Sequence, residues 1–346
     1  MAYTTIDNPE LYFQTKLYTG TGSSHAITLD GSENMQPDWV WIKRRNSAGG
    51  NMITDSIRGV TKTIITNENG AEQTFSNGLT AFDSDGFTLG SEDGFNKASD
   101  TFVSWNWKAG GSASSNSNGS ITSSVSANTT AGFSIVTYTG NGTAGATVGH
   151  GLGSIPQWII VKVRNTTNEW VVYHTSLGAT KFIEMNSTGA VQTNTTRFND
   201  TEPTSSVFSL GTAAGLNTSS DTHVAYCFAE KKGYSKFGSY TGNGNADGTF
   251  VYTGFRPAWV MVKRTDSGNS WCIFDNKRPG FNETNQYLLA EDSRAELTDM
   301  GFEILSNGFK LRQTFNSVNG SGASYIYLAF AESPFVNSNG VPNNAR

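Results

Sequence analysis

The sequence predicts an all-β protein, organised as three tandem homologous domains of β-sandwich or jelly-roll-like type. Two observations carry this expectation. Charged residues make up only 15% of the chain, whereas glycine (38 residues) and aromatics (12%) are prominent. That balance suits short strands joined by polar turns, and no stretch carries a helix-forming run with a repeating apolar face. The second observation is an internal repeat, which sets the architecture before any local pattern is weighed.

The tripeptide Tyr-Thr-Gly occurs at 18–20, 138–140 and 240–242. Each is followed by Pro-x-Trp: Pro37 with Trp39, Pro156 with Trp158, and Pro257 with Trp259. With 8 prolines and 8 tryptophans in 346 residues, chance gives 8 × 8 / 346, about 0.2, such pairs. Each of these tryptophans opens an apolar run that ends in basic residues: WVWIKRR, WIIVKVR and WVMVKRT. Trp170 and Trp271 stand at matching places further on, with Met52 nearest to that place in the first copy. A short motif recurs as Gly86-Phe87-Thr88-Leu89, Val207-Phe208-Ser209-Leu210 and Gly308-Phe309-Lys310-Leu311. A final strand follows in each copy: FVSWNW, HVAYCF and YIYLAF.

These landmarks divide the chain into an N-terminal segment (1–11), repeat one (12–112), a Gly/Ser/Asn/Thr linker (113–130), repeat two (131–232), repeat three (233–335) and a C-terminal tail (336–346). The linker composition predicts a flexible connection, apart from a short edge strand at 121–125. Repeats two and three have no such linker between them and should stack rigidly. In repeat two the strands are expected at 133–139, 144–149, 157–164, 169–174, 180–185, 205–210 and 222–230, separated by Gly/Asn turns. On the last strand Val224, Tyr226 and Phe228 share one face, matched by Val103, Trp105 and Trp107 and by Ile326, Leu328 and Phe330. That face should be core. The small residues Ala225, Cys227 and Ala229 on the other face suggest close contact with another domain or subunit.

The repeated aromatics are the candidate functional residues. Trp39, Trp158 and Trp259, with Trp107, Phe228 and Phe330, are expected to be core anchors of their domains. Trp170 and Trp271 lie beside turns and are the candidate surface platform for stacking sugar rings.

Nothing in the pattern assembles a catalytic site. His25, His150, His174 and His223 lack metal-ligand spacing, and no phosphate loop or nucleophile elbow occurs. The acidic dipeptides Glu92-Asp93 and Glu291-Asp292 fall at non-equivalent places, as solvated turns do. Asp83-Ser84-Asp85-Gly86 lacks the remainder of a calcium loop. The expectation is therefore no catalytic residue, no metal and no cofactor. Net charge is −5, and no basic cluster exceeds Lys43-Arg44-Arg45, which argues against nucleic acid as a partner. No run is long and apolar enough to span a membrane, and no signal peptide pattern opens the chain. Cys227 and Cys272 sit in apolar runs and are expected to be buried free thiols.

The segments YTTIDNPELYFQTKLYTGTGSSHAITLDG, QPDWVWIKRR, GFTLGSEDGFNKASDTFVSWNWKAGGSAS, HGLGSIPQWIIVKVRN and YCFAEKKGYSKFGSYTGNG resemble a family of tandem-repeat virion structural and tail proteins of marine tailed phages. The resemblance covers nearly the whole chain and brings no catalytic residues. It implies a virion protein, made in the host cytoplasm, that serves as a fibre, appendage or decoration component. Its expected partners are other virion proteins and further copies of itself, a trimer being the common arrangement of phage appendages. The alternative expectation is a carbohydrate-binding adhesin that recognises host-surface glycans. The apolar-rich N-terminal segment is expected either to fold onto the first domain or to dock on a neighbouring virion protein.

Overall fold

The computed structural model describes residues 3–279 and 282–342. Two residues of the N-terminal segment (1–2) and the end of the C-terminal tail (343–346) lie outside them. The fold is all-β. In every copy the strands sort into one long and one short antiparallel sheet with the same order. In copy one the long sheet runs Phe13–Thr19, Thr101–Trp107, Trp39–Arg44, Met52–Asp55, Lys62–Ile65 and Gln73–Thr74 from edge to edge. In copy two the corresponding order is Phe133–Thr139, Thr222–Phe228, Trp158–Val163, Val171–His174, Lys181–Glu184 and Gln192–Thr193. In copy three it is Ser235–Thr241, Ser324–Pro334, Phe255–Arg264, Trp271–Asp275 and Leu288–Leu289. The recurring Gly/Val-Phe-x-Leu motif forms a strand of the short sheet, where it pairs with His25–Thr28, Ala146–Gly149 or Phe250–Tyr252.

Side chains alternate across a strand, so each long sheet has two apolar faces, and both are buried. Val40 and Ile42 face the short sheet of their own copy and cluster with Ile27, Leu79, Phe87 and Leu89. Trp39, Trp41, Trp105 and Trp107 face the other way. They join Trp158, Phe228, Trp259 and Phe330 in one cluster drawn from all three copies. Trp39 lies 4.8 Å from the ring of Tyr226, Trp107 lies 5.5 Å from Trp259, and Phe228 lies 5.7 Å from Phe330. The expected core anchors are thus anchors of a shared core, not of three separate ones. This corrects the expectation that each set of anchors fills the core of its own domain. Each copy has a long sheet with one apolar face under its own short sheet and a second apolar face that the other two copies cover.

The small face of the last strand in copy two has a different role from the one its composition suggested. Ala225, Cys227 and Ala229 are buried under that copy's own short sheet, in a cluster with Val148, Phe208 and Leu210. They are not available to another subunit. Cys227 and Cys272 are free and buried, and burial pushes both thiols well above their ordinary range.

The Tyr-Thr-Gly motif has a structural cause. Tyr18, Tyr138 and Tyr240 each donate their hydroxyl to a turn carbonyl, at Phe95 (2.7 Å), Leu216 (2.8 Å) and Val318 (2.6 Å). Each ring stacks on the start of the last strand, at Phe102, His223 and Tyr325. The glycine lets the chain pass that turn: a Cβ at Gly20, Gly140 or Gly242 would lie 2.2, 2.3 or 2.4 Å from a backbone oxygen. Asn96, Asn217 and Asn319 lock the same turn, accepting from the N–H of Thr21, Asn141 and Asn243.

Two further expectations are corrected. The linker is not a flexible tether. Ser123–Asn128 pairs with Phe133–Thr139, and Ser114–Asn116 pairs with Ser123–Asn128, so the linker adds two strands to the long sheet of copy two. Backbone hydrogen bonding to an open sheet edge outweighs the disorder its composition favours. The N-terminal segment lies only in part against copy one, where Asn8 and Glu10 bond Ser32, and its earlier residues lie against copy three. Ile6 is buried in the shared core, the Tyr3 hydroxyl donates to the carbonyl of Gly254 at 2.8 Å, and Asp7 accepts from the N–H of Ser338 at 2.7 Å. The segment thereby ties residues 3–7 to copy three and to Ser338 beyond it.

This architecture predicts that the repeats cannot fold apart. Calorimetry of the whole chain should show one cooperative transition, and residues 131–232 alone should give no dispersed amide spectrum. Separate transitions for the copies would contradict the shared core. Ile6→Ala should destabilise the chain by about 2–4 kcal/mol, the usual effect of truncating a buried isoleucine.

Candidate functional site

Three equivalent seams hold the copies in a closed cycle, and they concentrate the buried polar chemistry of the molecule. At the seam between copies one and two, Arg58 is paired with Asp55 and, at 3.1 Å, with Glu72. Glu72 also binds Arg164 of copy two at 3.0 Å, and its N–H donates to the Arg164 carbonyl at 2.7 Å. Tyr226 of copy two donates its hydroxyl to Asp55 at 2.7 Å. The seam between copies three and one repeats this set. Arg278 pairs with Asp275 (2.6 Å) and Glu296 (3.3 Å), Glu296 binds Arg45 (2.9 Å), and the Trp105 indole N–H donates to Asp275 at 3.0 Å.

The seam between copies two and three keeps the geometry and loses the charge. His174, Leu177, Val191 and Thr265 stand where the other seams have Asp, Arg, Glu and Arg. The N–H of Val191 still donates to the carbonyl of Thr265 at 3.0 Å. His174 caps its turn as the aspartates do, with Nδ1 accepting from the N–H of Ser176 at 3.0 Å. Its Nε2 then carries the hydrogen and faces the Tyr327 carbonyl at 3.4 Å. All four positions change together because removing one member of a buried ionic set leaves its partners uncompensated.

Trp170 and Trp271 belong to the seams, which corrects their expected place on a surface. Both are fully buried. The Trp170 indole N–H donates to the carbonyl of Ile65 in copy one at 3.1 Å, and that of Trp271 to Glu184 in copy two at 3.0 Å. Asn51, not Met52, holds the equivalent position in copy one, where its amide donates to Ala290 of copy three at 2.7 Å. A sugar ring cannot stack on either indole in this fold.

The basic residue that ends each Pro-x-Trp strand is likewise spent at a seam. Lys43, Lys162 and Lys263 are buried and donate to backbone carbonyls of the preceding copy, at Asp292 (2.6 Å), Asn69 (3.3 Å) and Thr188 (2.9 Å). Burial lowers their pKa values to about 7, 8 and 8.

The acidic pairs also have structural roles. Glu291 accepts from the N–H of Trp271 at 3.0 Å, and burial raises its pKa. Asp83 accepts from the Thr88 hydroxyl at 2.7 Å, and Asp85 accepts from the N–H of Met35 at 3.1 Å. Among the described residues no group of three His, Cys, Asp or Glu side chains is placed to hold a metal ion.

One polar groove opens at the seam between copies one and two. Gln36, Asp38 and Ser56 of copy one face Ser112, Ser124 and Thr137 across a volume of about 510 Å³. Ser124 and Thr137 also line an adjoining groove of about 360 Å³ with Thr122, Thr139 and Arg164. The linker strands supply one wall, so the other two seams have no counterpart of that wall. Asp38 is engaged: it accepts from the Ser56 hydroxyl and from the N–H of Ala109, both at 2.8 Å. The arrangement can hydrogen-bond a polar, hydroxyl-rich ligand.

The fold and seams define a single-chain, cyclic three-copy all-β protein whose repeated polar residues join the copies. The chain belongs to the family described as Domain of unknown function (DUF7483), whose model matches residues 8–334 and so takes in all three copies as one unit. No curated protein and no solved structure matches the chain.

Two predictions follow from the seams. Asp275→Ala should destabilise the protein by about 3 kcal/mol, because it removes the nearer of the two carboxylates that pair with buried Arg278 and the acceptor of the Trp105 indole N–H. Replacing the whole set by its copy-two equivalents (Asp275→His, Arg278→Leu, Glu296→Val, Arg45→Thr) should restore most of that loss in thermal melts. The second prediction concerns pH. Burial lowers the pKa of His174 and of His223 from 6.5 to about 4. Between those values the unfolded chain binds protons that the folded chain does not. Stability should therefore fall as pH drops from about 6.5 to about 4, by up to roughly 3 kcal/mol for each histidine. Denaturant melts of His223→Phe, the residue copy one has there as Phe102, should show a shallower loss than wild type.

Proposed function

We propose that the chain is a structural component of a phage particle, a rigid fibre, appendage or decoration element attached to other virion proteins. The observation that supports this most is the use of the repeated residues. The tryptophans, lysines and Asp/Arg/Glu sets that recur from copy to copy are committed to a shared core and to the seams. Such a molecule is built to keep its shape. The resemblance of its segments to repeat proteins of marine phage particles supports the same reading. The three-part arrangement that appendages commonly obtain from three chains is supplied here by three copies in one chain. A single chain is thus the unit we propose to attach. Mass spectrometry of purified particles should find it in stoichiometric amounts, and its absence from them would overturn the reading. Sedimentation of the purified protein should give the mass of one chain.

A second reading, a glycan-binding adhesin, is supported by the polar groove between copies one and two. On a glycan array, filling that groove with Ser124→Tyr and Thr137→Tyr should abolish any binding the wild type shows. Binding retained by that variant would place the glycan elsewhere.

A further inference from the structure

The three short sheets have equivalent edge strands, and the chain treats them differently. His25–Thr28, Ala146–Gly149 and Phe250–Tyr252 are aligned through Ile27, Val148 and Val251, which pair with Phe87, Phe208 and Phe309. In copy two the edge is covered by the chain's own linker. Ile121 forms a parallel bridge with Val148 and its N–H donates to the Thr147 carbonyl at 2.9 Å. The N–H of Thr147 donates to the Ser120 hydroxyl, and the Ser123 hydroxyl donates to the Gly149 carbonyl, both at 2.9 Å. Ile121 is buried in the cluster of that copy. A Ser/Gly/Asn segment with one aliphatic anchor thus covers this edge through a single parallel bridge and two serine hydroxyls.

In copy three no strand covers the same edge among the described residues. Phe250 takes the place of Thr147, opposite Lys310 as Thr147 is opposite Ser209. That parity turns the N–H and carbonyl of Phe250 outward, as it does those of Thr147. Phe250 and Tyr252 lie on the outer face and are 44% and 53% exposed. Copy one has Ala26 and Thr28 there and copy two has Thr147 and Gly149. This edge is short, three residues, and the exposed large aromatics beside it are what mark an interaction site. The patch is continuous with an interface already formed: Tyr3 of the N-terminal segment reaches Gly254 and the hydroxyl of Tyr252 (3.2 Å), and Lys232 lies over the Tyr3 ring.

We infer that the edge strand Phe250–Tyr252 is a docking site for an extended peptide segment of a partner protein, which lies along it through bridge-type backbone bonds and an aliphatic anchor, as residues 119–123 lie along the edge of copy two. Backbone hydrogen bonds at Phe250 would supply the register, and the Phe250 and Tyr252 rings would cover an aliphatic anchor of the incoming strand. The inference does not depend on the partner being a virion protein.

The test uses the full chain and a synthetic peptide of residues 117–125 as probe, followed by amide chemical-shift titration. Saturable shifts centred on 249–253 are expected. Phe250→Pro, which removes the outward N–H, should weaken binding about tenfold or more. The double variant Phe250→Lys/Tyr252→Lys, altered only at exposed positions, should do the same and serves where the proline variant fails to fold. No saturable shift at this strand, or shifts unaltered in both variants, would overturn the inference. Shifts there on adding arrayed host oligosaccharides, with none from the peptide, would also overturn it and assign the aromatic pair to sugar.

Discussion

The constraint on which the rest of this structure depends is that every long sheet has two apolar faces and only one short sheet to cover them. Burying a large apolar side chain stabilises by about 1.5–3 kcal/mol, and each copy presents several such groups on its uncovered face. Trp39, Trp41, Trp105 and Trp107 of copy one would meet water if that copy stood alone. The other two copies remove that exposure, and the same holds for each in turn. Three is a number that closes: each inner face meets the other two, and no apolar face is left over. The strap formed by Tyr3 to Asp7 follows from the same closure, because it joins residues before copy one to Gly254 of copy three and to Ser338.

Closure places polar groups in dry surroundings, and the seams show how these are satisfied. A buried arginine is tolerable when carboxylates pair with it on both sides, as Asp55 and Glu72 do for Arg58. The seam of copies two and three reaches the same end by discarding the charges together. His174 retains the turn-capping of the aspartates while neutral. Burial lowers the pKa of this histidine, which keeps it neutral in the place of an aspartate. Of the tryptophans, the two beside turns and Trp105 follow the same rule, with indole N–H groups aimed at acceptors of a neighbouring copy, whereas the indole N–H groups of Trp39, Trp158 and Trp259 in the shared core find no acceptor.

The all-β class and the strand positions were legible in the sequence because period-two alternation and Gly/Asn turns are local signals. Repeat two is expected at 133–139 and 222–230 and forms Phe133–Thr139 and Thr222–Phe228 there. What was not legible is which surface covers each face. In WIIVKVR both faces are apolar, so alternation does not distinguish the partner copy from the copy's own short sheet. The seat of Trp170 and Trp271 was hidden for the same reason: a tryptophan beside a turn has the same local pattern whether the next element is solvent or another copy. Comparison of columns could have found the seams. Asp55, His174 and Asp275 align, and so do Arg58, Leu177 and Arg278, and Glu72, Val191 and Glu296. Joint change in one copy is the mark of residues that act as a set. Asn96, Asn217 and Asn319 were also open to this comparison, because they stand in register with Tyr-Thr-Gly.

Once the inner faces are committed, the copies can differ only outside, and their differences there are not random. Copy two receives the linker on the edges of both its sheets, which closes one short-sheet edge and builds one wall of the polar groove. Copy three carries the exposed aromatic pair and receives the strap of Tyr3 to Asp7. Copy one keeps small side chains, Ala26 and Thr28, on its equivalent edge. A strictly symmetric molecule would offer three identical surfaces and could not be oriented by a partner that touches one. The departures from symmetry therefore single out copies two and three as the parts of the surface that can be told apart, while the shared core keeps those surfaces fixed relative to one another.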